Sequence, residues 1–163
     1  MLDSLILSRI PHELLVVIVS ALPLAELRGG IPIGVMGFQL AWLEVFLLAI
    51  IGNLLPVPFL LLFFRRLMEF SRRIPIANKL TALLVKHAQR HTPSIERYER
   101  IGLILFVGIP LPWTGAWTGA IVASMIGMKF RQSLVSISVG VLISGVIVTT
   151  LCLMGNQIYL NVF

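Results

Sequence analysis

The chain has 163 residues, of which 58% are hydrophobic and only 12% are charged, and its net charge at pH 7 is +6. Its mean hydropathy is +0.98, whereas soluble domains contain about 45 to 50% apolar and about 25% charged residues. This composition excludes a soluble domain and predicts one integral-membrane domain, 1–163. The single Cys152 excludes a disulfide framework and a cysteine metal site.

The first half begins with the segment 1–12, which we predict lies along the outer membrane interface. It is followed by Glu13–Phe38, an apolar stretch broken near its middle by LPLAELRGGIPIG. Each leg of about ten to twelve residues gives about 15 to 18 Å of helix, or about half of the ~30 Å hydrocarbon core. The stretch therefore predicts a re-entrant hairpin that enters and leaves on the same side.

Two charged residues, Glu26 and Arg28, stand inside this broken stretch. Irregular backbone at membrane depth is tolerated where it is buried in protein or lines a wet cavity, and a charge there marks a substrate or ion path by default. We predict that both bind a substrate or an ion, with Gly29, Gly30 and Pro32 shaping the hairpin tip. The alternative is a Glu26–Arg28 contact that is only architectural.

The next element, Leu40–Phe64, is long enough to span the membrane and completes a first repeat, 13–64. The linker 65–100 then carries nine of the thirteen Lys and Arg residues against three acids, which predicts a cytoplasmic amphipathic segment under the positive-inside bias. A nucleic-acid partner is disfavoured by the flanking apolar spans. His87 and His91 are four apart there, and without a third ligand they are interpreted as a solvated helix face rather than a metal site.

The second half repeats this pattern. Ile101–Met128 is broken by IPLPWTGAWTGA, and Gln132–Gly155 can span the membrane, giving a second repeat, 101–163. If both broken stretches crossed fully, Lys129 and Arg131 would lie on the side opposite the basic linker, contrary to the positive-inside bias; if both are hairpins, the two residues are cytoplasmic. At the second tip, we predict backbone roles for Pro112, Gly115 and Gly119, and substrate or ion contacts for Trp113, Thr114, Trp117 and Thr118.

The two halves share Pro-Leu followed by Gly-x-x-x-Gly, at Gly30 and Gly34 and at Gly115 and Gly119. The fold class predicted is therefore an all-α membrane protein of two inverted repeats, each a re-entrant helical hairpin plus a transmembrane helix, whose tips meet near the midplane. The glycine spacing also fits plain close packing of helices.

ELRGGIPIG and, half a chain later, PLPWTGAWTGA resemble the paired motifs of the putative small multidrug export protein family, over nearly the whole chain. That family is distantly similar to the DedA superfamily, for which opposed re-entrant hairpins with buried acidic and basic residues, and lipid-phosphate translocation or proton-coupled transport, are proposed. The resemblance carries over Glu26 and Arg28 in the first motif. In the second it carries over Pro112, Thr114, Gly115, Thr118 and Gly119. Thr and Trp replace the DedA-like arginine there.

These features favour an ion-coupled secondary transporter or exporter in the cell inner (plasma) membrane, with H+ or Na+ as the coupling ion and membrane lipid around it. A lipid-phosphate flippase is the alternative, with Arg28 holding the headgroup. A membrane-embedded phosphatase is disfavoured, because His12, Glu13 and Glu44 lie nearer the predicted interface. We expect no enzyme activity, no cofactor and no metal. Gly-rich faces on so small a chain predict a homodimer.

Overall fold

The computed structural model describes residues 11–71 and 93–162, and side chains within 11–70 and 97–155. The described part is helical, which confirms the predicted all-α class. The segment 1–12 and the middle of the linker, with His87 and His91, lie almost entirely outside the described residues. The helices are α1 His12–Ala21, α2 Glu26–Pro32, α3 Trp42–Leu54, α4 Val57–Ser71, α5 Pro93–Gly108, α6 Ala116–Ile126 and α7 Phe130–Val162, with a π-helical turn at Ile33–Gly37.

The first broken stretch forms two short helical legs that pack side by side. Helix α1 has ten residues, about 15 Å of helix at 1.5 Å per residue. The chain reverses after Ala21, and α2 with its π-helical turn returns beside α1. The rings of His12 and Phe38 stack with centroids 4.4 Å apart, so the two far ends of the legs lie together. This is the geometry of a helical hairpin.

The reversal of this hairpin lies earlier than the sequence pattern indicates. Gly29, Gly30 and Pro32, predicted as tip backbone, lie inside α2, whereas Leu22 to Ala25 form the turn. Pro32 has no N–H to donate to the preceding turn of helix, and the α-helix widens directly after it into the π-helical turn, where Phe38 N donates to Ile33 O at 2.9 Å. Such widened turns occur often at functional sites.

Two apolar helical segments, Trp42–Phe70 with 29 residues and Phe130–Gly155 with 26, are long enough to cross a membrane. They match the two predicted spans. The first extends past Phe64 because charged residues continue it, with Arg65 Nε 3.3 Å from Glu69 Oε1 one turn later. Such exposed pairs add about 0.2 to 0.5 kcal/mol to a helix.

The second broken stretch also forms two helices, with a longer first leg than predicted. Helix α5 has 16 residues and begins at Pro93, because the polar stretch before Ile101 is helical as well. Helix α6 has 11 residues and ends at Gly127, whose φ of +78° is left-handed. Met128 N then donates to Ala123 O at 3.0 Å, a glycine-capped helix end that separates α6 from α7.

The helices group into two compact units, Met1–Leu55 with Val141–Phe163 and Pro56–Gly140. The first unit contains the first broken stretch, the N-terminal half of the first long segment and the C-terminal half of the second. The second unit contains the second broken stretch, the C-terminal half of the first long segment and the N-terminal half of the second. The predicted repeats 13–64 and 101–163, and the re-entry of either hairpin into a membrane, stay predictions.

Candidate functional site

Glu26 is a buried acid held in a strained conformation. It is the first residue of α2, its side chain is only 7% exposed, and its φ is +47°. Its backbone N–H donates to Leu22 O at 3.0 Å. A residue other than glycine in the left-handed region costs of order 1 to 3 kcal/mol, and such strain concentrates at functional sites. The hairpin turn therefore fixes Glu26 at the point where the chain re-enters a helix.

Arg28 lies two residues further along α2 and is half-buried. The Glu26 carboxylate interacts with it electrostatically. On a regular helix, residues two apart point to different faces. Here Glu26 has left-handed backbone, so the regular helical offset does not apply to it. The structure thus holds the acid and the base that the sequence pattern indicated on one short helix, within electrostatic range of each other.

Helices α1, α2 and α3 of the first unit approach one another closely at Gly30 and Gly52. A Cβ on Gly30 would collide with Ser20 Oγ, and one on Gly52 would stand 3.0 Å from Ser20 Cβ. Ser20 therefore lies between α2 and α3 at the C-terminal end of α1. It is fully buried, and Asn53, which follows Gly52, is 1% exposed.

Sequence reasoning did not select Ser20 and Asn53. Ser20 Oγ and Asn53 Oδ1 are buried without a hydrogen-bond partner, as is Thr149 Oγ1 on α7. The available signal was a single polar residue inside each of two apolar runs, VVIVSAL and AIIGNLL. Such a residue must be satisfied by a neighbouring element or a ligand.

The second tip, in the other unit, is a turn organised by Thr114. The single hydroxyl hydrogen of Thr114 is shared between Ile109 O and Leu111 O, at 2.8 and 2.9 Å from Oγ1. The same oxygen accepts a hydrogen bond from Leu111 N at 3.2 Å. These contacts leave the hydroxyl occupied by its own turn. Thr114 therefore stabilises the turn of the tip, and its substrate contact stays a prediction.

Trp113 is displayed by this turn. Its φ is +72° and its side chain is 83% exposed, with the exposed Pro112 directly before it. A bulky side chain in the left-handed region is a genuine outlier. The turn therefore holds the indole ring of Trp113 exposed at the surface of its unit.

The remaining second-tip residues lie in or next to α6. Gly115 is its N-cap, Thr118 Oγ1 donates back to Gly115 O at 3.3 Å, and Trp117 is half-buried. Gly119 lies one turn inside the helix, where a Cβ would stand 2.6 Å from a Val107 methyl, so it serves close packing against α5. That the two tips share one cavity stays a prediction.

Within the described side chains, no group of three His, Cys, Asp or Glu residues could hold a metal ion. The candidate site consists of the Glu26–Arg28 pair and the buried oxygens Ser20 Oγ and Asn53 Oδ1.

Comparison with known proteins gives one family. A family model described as "Putative small multi-drug export protein" matches residues 26–147, about three quarters of the chain, and its match begins at Glu26. No curated protein and no solved structure matches.

Proposed function

The chain belongs to this family of small export proteins, and we propose that it is an ion-coupled secondary transporter of the cell inner membrane, with Glu26 and Arg28 at its coupling site. The observation that carries the proposal is the buried acid of Glu26 beside Arg28, on a helix of seven residues that glycine and proline interrupt. Ionisable groups at the tips of broken helices are the usual coupling sites of secondary transporters.

In the proposed mechanism Glu26 exchanges a coupling ion while Arg28 responds to it. When a proton or Na+ neutralises the carboxylate, the attraction between Glu26 and Arg28 weakens. Arg28 then becomes available to an anionic group of the substrate, or the tip repacks. When the ion leaves, the pair re-forms. Each cycle therefore ties ion movement to a change at the hairpin tip, which is the requirement for coupling.

A second candidate function, lipid-phosphate translocation of the DedA type, is supported by the half-buried guanidinium of Arg28. Its planar fork can bind two phosphate oxygens at once. In this alternative the substrate is a lipid headgroup rather than a lipophilic small molecule.

The experiment that tests the proposal uses the purified full chain in liposomes that contain a pH-sensitive dye or, in parallel samples, a Na+-sensitive dye. H+ or Na+ gradients are imposed, and lipophilic cations and phosphate-bearing lipids are offered in turn. Ion flux that requires a lipophilic small molecule supports the exporter, and flux that requires the lipid supports the flippase. Protein that gives no more flux than empty liposomes with either class contradicts coupled transport.

We propose that both hairpins are re-entrant, which places the linker and Lys129 in the cytoplasm. The short legs and the stacked His12 and Phe38 rings support this for the first hairpin. Single cysteines at Tyr98, which is 75% exposed, and at Lys129 are then expected to react with a membrane-impermeant thiol reagent only from the cytoplasmic side. Labelling of position 129 from outside would remove the re-entrant assignment of the second hairpin. The unchanged protein is the control, since its Cys152 is buried.

We also propose a homodimer, because the Gly-rich helix faces of so small a chain favour association in lipid. The mass of the protein particle in mild detergent is expected to be twice that of the 18.1 kDa chain, after bound detergent is subtracted. A monomer mass at all working concentrations would contradict it.

Trp113 and Trp117 are proposed as the aromatic contacts of a lipophilic substrate, with Thr118 beside them. Trp113→Gly separates this role from scaffolding, because glycine adopts the φ of +72° without strain. We expect unchanged or slightly higher thermal stability with at least a severalfold rise in KM for aromatic cations, since a cation–π contact contributes about 0.5 to 2 kcal/mol. Unchanged KM would remove Trp113 from the substrate site.

A further inference from the structure

Two buried side-chain oxygens of the first unit, Ser20 Oγ and Asn53 Oδ1, have no role in the proposed function. Ser20 and Asn53 are 0% and 1% exposed, and Ser20 Oγ and Asn53 Oδ1 have no hydrogen-bond partner. Buried polar atoms are paired in about 90% or more of cases. Leaving such an atom unpaired is unfavourable, so two of them on neighbouring helices indicate a bound group.

The packing brings both residues toward the hairpin tip. Ser20 Cβ would lie 3.0 Å from a Cβ on Gly52, the residue before Asn53, while Ser20 Oγ faces Gly30. Glu26 begins α2 four residues before Gly30, so the contact with Ser20 lies about one helical turn from it along the chain. Three elements therefore converge at one place: the end of α1, the start of α2 and the end of α3.

The chemistry of this place suits a small cation. All the side-chain groups considered are oxygens, the ligands that hard cations prefer. The C-terminal end of α1 adds the negative pole of a helix dipole. With one carboxylate, and with Arg28 close to it, a divalent ion would leave an uncompensated buried charge. A monovalent ion leaves a single positive charge, which an anionic substrate group can neutralise.

We propose that Ser20 Oγ, Asn53 Oδ1 and the Glu26 carboxylate form a binding site for Na+. The inference rests on the proposed function only in making Na+ the coupling ion; binding itself requires no transport. A bound Na+ competes with Arg28 for the carboxylate and so releases the guanidinium. The site is then neutral when it is empty and when a cation and an anionic group are bound together, but it is charged when either is bound alone, which links the two events.

The test measures thermal unfolding of the purified full chain in detergent, in NaCl, KCl or choline chloride at one ionic strength. Because a ligand that binds only the folded protein stabilises it in proportion to ln(1 + [L]/Kd), we expect a rise of Tm that is specific to Na+ and grows with the logarithm of its concentration above Kd. Ser20→Ala and Asn53→Leu should each raise the apparent Kd for Na+ by about tenfold or more, the scale on which changes around metal sites act. Asn53→Asp should lower it. Ser133→Ala is the matched control, since Ser133 is buried to the same extent but donates to Lys129 O at 3.2 Å.

Two outcomes overturn the proposal: wild-type protein whose Tm responds equally to the three salts, or a Na+ effect that persists unchanged in Ser20→Ala and Asn53→Asp. The wild-type measurement needs no variant to fold. Flux in Na+-free liposomes under a pH gradient keeps the two proposals apart. Glu26-dependent flux there, with no Na+ effect on Tm, leaves the proposed function standing and removes this site. A Na+ effect on Tm without flux under either a pH gradient or a Na+ gradient does the reverse.

Discussion

We expect Glu26→Gln to abolish ion-coupled flux while the thermal stability of the protein stays close to that of the wild type. Gln has nearly the shape of Glu and can still accept a hydrogen bond, but it cannot release a proton or neutralise a bound cation. If Glu26 is the coupling group, flux in liposomes should fall to the level of protein-free vesicles. The measurement pairs flux with the unfolding temperature on the same preparation.

The magnitude of the stability change separates a coupling site from an architectural contact. Breaking a fully buried ion pair costs about 3 to 5 kcal/mol, because it leaves an uncompensated charge. Arg28 is only half-buried, so water that enters the proposed coupling site screens its charge when Glu26 is neutralised. We therefore expect a loss on the order of 1 kcal/mol. A loss of flux that is fully explained by unfolding would show that the contact between Glu26 and Arg28 is only architectural.

The matched control for this variant is Glu69→Gln. Glu69 makes the same kind of pair with an arginine, at 3.3 Å from Arg65 Nε, but its side chain is 62% exposed. Flux and stability should both stay at wild-type levels. If Glu69→Gln abolished flux as Glu26→Gln does, the effect would not be specific to the hairpin tip.

Arg28→Lys tests the partner of Glu26 by the same assay. Lysine keeps the charge but loses the planar fork of the guanidinium, so a substrate held by two parallel hydrogen bonds should bind more weakly, with KM rising about tenfold for loss of one charge-assisted bond. If Arg28 acts only through its charge, Arg28→Lys should transport normally.

The sequence singles out Glu26 and Arg28 as candidate site residues because their chemistry conflicts with their surroundings. An acid and a base inside an apolar run are costly in a membrane, so Glu26 and Arg28 were identifiable without a structure. The position of the turn was not identifiable in the same way, because glycine and proline occur both in turns and where helices pack closely. The turn formed at Leu22 to Ala25, and Gly30 was used for contact with Ser20.

Side-chain roles within a tip depend on backbone geometry that composition does not encode. Thr114 and Thr118 have the same chemistry and spacing that suggested substrate contacts, yet both hydroxyls donate to carbonyls of their own turn. The left-handed backbone of Trp113 follows from how that turn closes. Ser20 and Asn53 escaped prediction because only the packing of three helices shows that their oxygens stay unpaired.

Gly52→Ala is expected to cause the largest loss of stability among the single methyl additions considered. Its Cβ would collide with the backbone carbonyl oxygen of Val17 and stand 3.0 Å from Ser20 Cβ. Neither can rotate away, so α1 and α3 must move apart. Overpacking a core costs about 1 to 3 kcal/mol, and we expect the upper end, measured as a fall in Tm and in the free energy of unfolding.

The control for Gly52→Ala is Gly102→Ala, which makes the same change in a helix without the contact. Gly102 lies on α5 with nothing within 4 Å of its would-be Cβ, so alanine should stabilise the helix by about 0.5 to 1 kcal/mol through the lower entropy of the unfolded chain. The two variants should therefore shift stability in opposite directions. If Gly52→Ala were neutral or stabilising like Gly102→Ala, the close crossing of α1 and α3 would be wrong, and with it the placement of Ser20 and Asn53 behind the hairpin tip.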